Sequence, residues 1–184
     1  KHEKIWWFER FRWFVSTEGN LVVAGRDASS NDLVVKKYLS DGDRYAHADI
    51  HGAPSWVIKG KGVNDEQLPI SEKTLEEACL FAASYSRAWN QFGEASAYWV
   101  LPEQVSKTPE SGEYIPKGAF IIRGKRNYYR CKLEVAVGLV AIGDVEKIMG
   151  GPIISVAARA KQYAILIPGV TKKSTIAQKL SKVF

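Results

Sequence analysis

Apolar residues recur along the chain at two spacings, which predict an interspersed set of helices and strands. Near the N-terminus, Trp7, Phe11 and Phe14 follow one another at helical spacing, which predicts a helix that presses an aromatic stripe onto the domain. Two short β-prone runs follow at residues 13–16 and 21–24, with Gly and Asn between them. This arrangement predicts a β-hairpin.

Two longer helices are predicted from capping residues that precede apolar positions at helical spacing. Ser29, with Asp32 three residues later, predicts the start of a helix that stops at the next Asp-Gly turn. Thr74 and Glu77 form a predicted capping box for a second helix over residues 75–92, whose apolar positions recur every three or four residues. One face of this second helix is therefore predicted to be buried.

Strands are predicted where β-prone runs lie between turn signals, at residues 45–50, 55–59, 97–101, 119–122, 128–132 and 133–142. The tail predicts a short helix after Pro152, a strand at residues 163–167 and a last helix with Ile176 and Leu180 on one side. Helices and strands are interspersed without strict alternation. We therefore predict an α+β fold: a single domain with a mixed, largely antiparallel β-sheet packed against one long and a few shorter helices.

Composition and charge narrow the function classes. The chain has 184 residues, of which 46% are hydrophobic and 25% charged, as in ordinary globular domains. Its net charge of +6 is uneven, because residues 115–184 hold 13 basic and 3 acidic side chains. Such a basic half is typical of proteins that bind polyanions, although lysines also simply solvate exposed surfaces. With no apolar run of membrane-spanning length and no paired cysteine motif, we expect a cytoplasmic protein without a membrane partner.

A run of basic and aromatic residues is the strongest local signal for function. Arg123, Lys125 and Arg126 precede Tyr128 and Arg130, which lie in the predicted strand at residues 128–132. Guanidinium groups pair with phosphates and tyrosine rings stack on bases, so this pattern favours single-stranded or looped RNA. The alternative is an edge strand protected from aggregation by its charges.

Two other motifs allow alternative interpretations. His47, Asp49 and His51 would share one face of a strand, a spacing that suits a divalent metal with Asp27 as an extra ligand, but it also suits a polar surface or hydrogen-bonded histidines. The predicted helix start that follows Arg26 could bind an anion or be an ordinary N-cap. No nucleophile motif accompanies them, so no enzymatic activity is predicted.

Several motifs together resemble the R domain of the NFACT proteins. They occur in the same order and cover residues 6 to about 142; the matching stretches are residues 7–14, 25–28 with Asn31, 47–53, 86–89, 99–100, 104–108, 112–114 and 118–125. The resemblance implies an RNA-binding module, for tRNA or ribosomal RNA, of ribosome-associated quality control factors, some of which are named fibronectin-binding proteins. Members bind large ribosomal subunits obstructed by peptidyl-tRNA and support C-terminal tailing of the stalled chain.

The resemblance and the run of basic and aromatic residues together predict a set of site residues, and the resemblance implies the partners. The expected nucleic-acid-binding residues are Arg26, Asn31, Lys37, His47, His51, Lys59, Lys107, Arg123, Lys125, Arg126, Tyr128 and Arg130. Asp27 and Asp49 are expected to orient Arg or His side chains. No cofactor is expected, and the partners are RNA, the large ribosomal subunit and the rest of the NFACT chain.

The resemblance divides the chain into three parts. Residues 1–5 would end a coiled coil or linker, residues 6–145 would form the RNA-binding domain, and residues 146–184 would be a basic extension of archaeal type packed on it. Two rival functions remain open. One is a metal-dependent nuclease or phosphodiesterase that uses His47, Asp49 and His51, and the other is a protein-docking module that uses the N-terminal aromatic stripe.

Overall fold

A computed structural model describes residues 4–91 and 94–184. Within this part of the chain, six strands form the main sheet in the order β1-β2-β4-β3-β5-β8, and each neighbouring pair is antiparallel. The strands are β1 Arg12–Val15, β2 Leu21–Ala24, β3 Arg44–Ala48, β4 Trp56–Ile58, β5 Glu94–Val100 and β8 Asn127–Lys132. Phe92, where the predicted long helix ends, lies outside the described residues.

The predicted hairpin is present, but the aromatic helix before it is not. The segment Trp7–Arg10 makes a single 3-10 turn, and Phe11 is already extended before β1 begins. Phe8, Phe11 and Phe14 are each at most 1% exposed. Their rings therefore belong to the core, although the residues lie in a turn and a strand and not in a helix. Of the predicted stripe, Phe11 and Phe14 are thus interior, while Trp7 is partly buried and stacks on the Tyr38 ring with centroids 4.4 Å apart. The three rings do not form the exposed docking surface that the second rival function requires.

Helices α1, Ala28–Tyr38, and α2, Glu72–Ser84, cover opposite faces of the main sheet. Trp56 of β4 lies against Phe81 of α2, with ring centroids 5.2 Å apart. The next residue of β4, Val57, pairs with Tyr45 and points to the other face, because side chains alternate along a strand. Helix α1 covers that other face only over β2 and β4, which leaves the β3-β5-β8 end open.

Helix α2 begins and ends earlier than the sequence predicts. Ser71 caps it, accepting a hydrogen bond from the Thr74 amide at 3.4 Å. The predicted Thr74–Glu77 capping box is wrong because both side chains are buried and bond to other elements; the Glu77 carboxylate accepts from the Thr17 amide at 2.8 Å. After Ser84 the chain leaves the helix, and a 3-10 turn follows at Arg87–Asn90.

A second sheet packs against the first hairpin. In the described residues it has the order β10-β9-β11, with β9 Val135–Ile142, β10 Val145–Gly151 and β11 Ala160–Leu166. The short helix α3, Ile153–Ala157, and the last helix α4, Lys173–Val183, complete the tail as predicted. The amide of Val15 in β1 lies 3.3 Å from the Met149 sulfur of β10, so the two sheets share one core.

A two-stranded ribbon closes the long polar loop that the sequence predicts at residues 106–118. Its strands are β6 Val105–Ser106 and β7 Ile121–Ile122. The α+β prediction is confirmed, and all pairings among the described strands are antiparallel, so the expected sheet is not mixed. Among these residues no helix is both long and apolar enough to cross a membrane.

Candidate nucleic-acid interface

A groove of about 900 Å³ lies over the open end of the main sheet. Its floor comes from β3 and β5, and residues 114–120, which we call the wall, border one side. The structure brings seven of the sequence-predicted site residues to this groove: Arg26, Asp27, Asn31, His47, Asp49, His51 and Arg126. They come from separate segments that only the sheet and the long loop bring together.

A row of rings runs from the groove floor across three strands to Tyr128, which lies beyond the residues that line the groove. His47 of β3, Tyr98 of β5 and Tyr128 of β8 are direct cross-strand partners. The ring centroids of His47 and Tyr98 are 6.0 Å apart, and those of Tyr98 and Tyr128 are 5.6 Å apart. Arg126 lies over the Tyr98 ring at 4.7 Å. Tyr98 is only 3% exposed, and burial raises its pKa to about 12, whereas Tyr128 is 54% exposed at the open end of the row.

The predicted strand β8 presents its basic and aromatic residues on one face. Because side chains alternate along a strand, Tyr128 and Arg130 share the face of Arg126, while Tyr129 points to the opposite face and donates a hydrogen bond to Glu72 of α2. Arg130 is paired with Glu94 of the neighbouring strand, a contact that lowers the pKa of that carboxyl. Tyr128 and Arg126 are therefore the residues of this strand that are best placed for a ligand.

His47 is held by the backbone at both ring nitrogens. Its Nδ1 lies 2.5 Å from the Ala48 carbonyl oxygen, and its Nε2 lies 2.9 Å from that of Ala53. Burial is the largest influence on the ring and lowers the His47 pKa, although both carbonyls act in the opposite direction. A neutral imidazole has one N–H, so only one of the two carbonyls receives a hydrogen bond.

The predicted metal triplet is not assembled. Strand β3 ends at Ala48, so Asp49 and His51 lie in a turn and do not continue the alternation of His47. No group of three His, Cys, Asp or Glu side chains in residues 4–91 and 94–184 is placed to hold a metal ion. With both His47 nitrogens facing carbonyl oxygens, the residues do not form the centre that the nuclease hypothesis requires.

Asp27 caps helix α1, in place of the predicted Ser29. Its carboxylate accepts hydrogen bonds from the Ser30 amide at 2.8 Å and the Ser30 hydroxyl at 2.9 Å, which lowers the Asp27 pKa. The expected role of Asp27 in orienting an Arg or His side chain is therefore wrong. The neighbouring Arg26 instead donates to the backbone, with Nε 3.2 Å from the Arg10 carbonyl oxygen. Asp49 is exposed and influences His47 only through its charge.

Asn31 holds the wall in place. Its Nδ2 donates to the Gly118 carbonyl at 2.5 Å, and its Oδ1 accepts from the Ser55 amide at 2.8 Å. Gly118 has φ +81° and comes so close to α1 that a Cβ would lie 2.7 Å from the Ala28 carbonyl oxygen. A glycine is therefore required where the wall crosses the helix start. Asn31 is 8% exposed and positions the groove more than it faces a ligand.

Lys59 is not part of the polar surface on which the resemblance places it. It is 4% exposed, and its ammonium group lies 2.5 Å from the Asp43 carboxylate and also donates to the Tyr38 carbonyl. This correction could not be made from the sequence, since Asp43 and Lys59 meet only when β3 and β4 pair. Lys59 closes the end of α1 against the sheet.

The remaining predicted cations lie outside the groove. Arg123 forms an ion pair with Glu113 at 2.9 Å inside the long loop, which raises the Arg123 pKa. Lys125 is exposed at the turn before β8. Lys37 is exposed on α1, above the ring of Tyr38. Lys107 lies beyond the wall, in a second and smaller depression.

The groove also contains residues that the sequence reasoning missed. The additional cations are Arg12, Arg87 and Lys117, and the additional exposed rings are Tyr85 and Tyr114. Arg12 lies over the Tyr85 ring at 4.5 Å, and Arg87 donates to the His51 carbonyl at 2.6 Å. Arg12 and Arg87 stand within motifs of the resemblance, but their local spacing resembles that of any strand or turn.

The charge of the groove is positive. Among the described residues that line it, five side chains are cationic and two are acidic, and one of the acids, Asp27, is engaged in capping α1. With exposed tyrosine rings beside these cations, the groove has the two features that bind the backbone and the bases of a nucleic acid strand.

Comparison with known proteins identifies the family. A sequence model of the NFACT protein RNA binding domain matches residues 10–124. The chain belongs to this family. It is 42% identical over 180 residues to the archaeal Rqc2 homolog aRqcH of Methanocaldococcus jannaschii, covering 97% of this chain and 26% of that relative. It is 49% identical over 128 residues to the human ribosome quality control complex subunit NEMF, covering 70% of this chain and 12% of NEMF.

A solved structure has the same fold. The C-terminal part of the fibronectin/fibrinogen-binding protein from Streptococcus suis aligns with a TM-score of 0.52 and 22% identity. The alignment covers 70% of this chain and 47% of that one. The chain spans 26% of the archaeal relative and 12% of human NEMF, so this NFACT domain corresponds to one part of those longer proteins.

Proposed function

We propose that the groove binds RNA through a single-stranded or looped segment, and that it performs no chemistry on the RNA. The observation that carries the proposal is the row that ends in the exposed Tyr128, beside Arg126 and the other groove cations. Cations neutralise phosphates, and an exposed ring offers a surface on which an unpaired base stacks. A regular duplex would keep its bases stacked inside and could not use the ring.

We further propose that the RNA is tRNA or large-subunit ribosomal RNA. The support is the family, together with the human relative's name as a ribosome quality control subunit. In this proposal the domain acts in the cytoplasm within a longer NFACT chain, on large subunits that carry peptidyl-tRNA, and supports C-terminal tailing of the stalled chain. Crosslinking of the domain within purified ribosomal complexes would identify the contacted RNA; crosslinks to ribosomal protein alone would contradict the proposal.

The domain limits remain part of the proposal. Residues 6–145 would be the RNA-binding domain and residues 146–184 a basic extension packed on it, while residues 1–5 would end a coiled coil or linker. The support is that the archaeal relative aligns over 180 residues but the human relative over 128. Residues 1–3 lie outside the described part of the chain.

Tyr128 provides the test of the groove. We expect Tyr128→Ala to weaken binding of a fluorescent single-stranded RNA by roughly 5- to 150-fold, the equivalent of one lost base–aromatic stack. Tyr128→Phe keeps the ring and should bind like the unchanged protein. Fluorescence anisotropy at fixed salt measures both.

The matched control is Tyr163→Ala, which removes another exposed tyrosine from β11 in the second sheet. It should leave the affinity unchanged. Equal effects of Tyr128→Ala and Tyr163→Ala, or undiminished binding after Tyr128→Ala, would exclude Tyr128 from the interface.

A further inference from the structure

A second depression lies on the far side of the wall. It has a volume of about 280 Å³ and is bordered by wall residues together with Lys36, Lys107 and Lys117. Lys117 also lines the groove, as do the neighbouring wall residues Pro116 and Ala119, so the two concavities share this part of the wall. A chain that leaves the groove over Lys117 enters the second depression directly.

The charge of this depression is unbalanced. Asp32 is the acidic side chain that lines it, and its carboxylate is already paired with Lys36 at 2.8 Å, one helical turn along α1. Lys107 and Lys117 therefore add positive charge that this carboxylate does not neutralise. Partial burial lowers the Lys107 pKa, and repulsion from Lys36 lowers it further. An anion between these lysines would relieve that repulsion.

We propose that the depression between Lys36, Lys107 and Lys117 binds a phosphate group of the RNA strand whose bases occupy the groove. Lysine ammonium groups bind phosphate as point charges and need no fixed fork geometry, which suits three flexible side chains around an open depression. The inference rests on the proposed RNA binding and adds the path of the RNA. Its strand crosses the wall from the groove to the second depression. The wall, held by Asn31 through Gly118, then sets the distance between the base and phosphate subsites.

The salt dependence of RNA affinity tests the subsite. For a fluorescent 12-nucleotide single strand titrated between about 50 and 300 mM KCl, Lys107→Gln should reduce the slope of log K against log salt by about 0.7, the value for one phosphate on a single strand. At about 100 mM KCl this corresponds to a roughly fivefold loss of affinity. The control Lys73→Gln removes an exposed lysine from α2, on the opposite face of the sheet, and should change neither quantity.

A methylphosphonate scan of the same strand locates the phosphate. Neutralising one particular linkage should abolish the effect of Lys107→Gln, whereas other linkages should leave it intact. Inorganic phosphate titrated into the RNA-free protein, followed by backbone amide shifts of Ile115, Lys117, Gly118 and Ala119, separates a small phosphate ligand from an RNA phosphate. Shifts that depend on Lys107 without any RNA binding would support the anion site but overturn its assignment to RNA.

The outcomes also separate this inference from the proposed function. If the unchanged protein binds RNA but Lys107→Gln behaves like Lys73→Gln, the phosphate subsite is excluded while RNA binding in the groove stands. If the unchanged protein neither binds RNA nor shifts with phosphate, both proposals fail.

Discussion

At the scale of single residues, several polar side chains that the sequence places at the RNA interface form hydrogen bonds or ion pairs within the protein. His47 faces two carbonyl oxygens, and Lys59 is paired with Asp43. A buried charge or polar group without such partners costs more than the net gain from a typical hydrogen bond. His47 therefore supports the groove floor and Lys59 supports the packing of α1 on the sheet, which leaves the exposed Tyr128 and the groove cations for the proposed contacts with RNA.

Protonation of His47 should lower the stability of the protein in mild acid. Its pKa is lowered in the folded protein, so the unfolded chain takes up the proton first as pH falls below the ordinary value of about 6.5. The stability that the neutral ring contributes is thus complete above about pH 6.5 and declines below it. We expect the free energy of unfolding of the protein, relative to His47→Gln, to fall between pH 7 and 5 in urea denaturation. Parallel pH profiles of the two proteins would contradict this.

Replacing Lys59 should strongly lower the stability of the protein and change its RNA affinity little. Lys59→Met leaves the Asp43 carboxylate, 4% exposed, without its cation and should cost about 3–5 kcal/mol in the free energy of unfolding. Combining it with Asp43→Asn should recover much of that loss, because no buried charge remains. Urea unfolding measures both, and folded Lys59→Met should keep its RNA affinity. A single-variant loss below about 1 kcal/mol would show that the pair is not buried as described.

At the scale of elements, the wall has little regular structure of its own. The β6–β7 ribbon holds its base, and the Glu113–Arg123 ion pair braces the exposed loop before it. Asn31 joins the wall to α1 and, through Ser55, to the start of β4. It holds the wall together with the close contact of Gly118 with Ala28 and the packing of Phe120 against the core.

Asn31→Ala should loosen the wall. The Ser55 amide and the Gly118 carbonyl would lose their partner, which should cost about 1–3 kcal/mol of stability. Amide hydrogen exchange of residues 117–120 should accelerate, and RNA affinity should fall although Asn31 is a positioning residue. Asn64→Ala, at an exposed turn, is the control and should change none of these. Unchanged exchange in Asn31→Ala would disprove the anchoring role.

At the scale of the whole molecule, the tail is part of the core. Gly151 packs on Phe14, the Met149 sulfur meets the Val15 amide, and Ser155 of α3 donates to the buried Glu77. Lys147 of β10 also pairs with Glu9 at 3.1 Å. The second sheet therefore completes the packing of the first hairpin, while all described residues of α4 remain at least partly exposed.

Two truncations test this arrangement. Ending the chain at residue 144 removes Met149 and Val156 from the core, which should cost roughly 3–6 kcal/mol from their lost burial alone. Ending it at residue 171 removes only α4 and should leave most of the stability. Thermal unfolding compares the two with the full chain. Equal midpoints for the 144-residue chain and the full chain would contradict a shared core.

The sequence alone determined the α+β class, the first hairpin, the helices and last strand of the tail, and the basic, aromatic strand β8, but it did not predict β10. These follow from the spacing of apolar residues and from turn residues, which act over a few positions. The spacing of residues does not show which groups that are far apart along the chain meet in the fold. The sequence misplaces Lys59 and does not single out Arg12 because their partners, Asp43 and Tyr85, lie on other elements and meet them only in the fold.

Only the tertiary structure decided the groove. Asn31 bonds to Gly118, 87 positions away, and the preceding residue, Lys117, lines both the groove and the second depression. A local sequence pattern indicates whether a side chain is exposed to water or buried in the core. The pairing of strands determines which charged side chains are neutralised by a neighbour and which are available to a ligand. That is why the chemistry of the partner could be inferred from the residues, whereas its binding path required the fold.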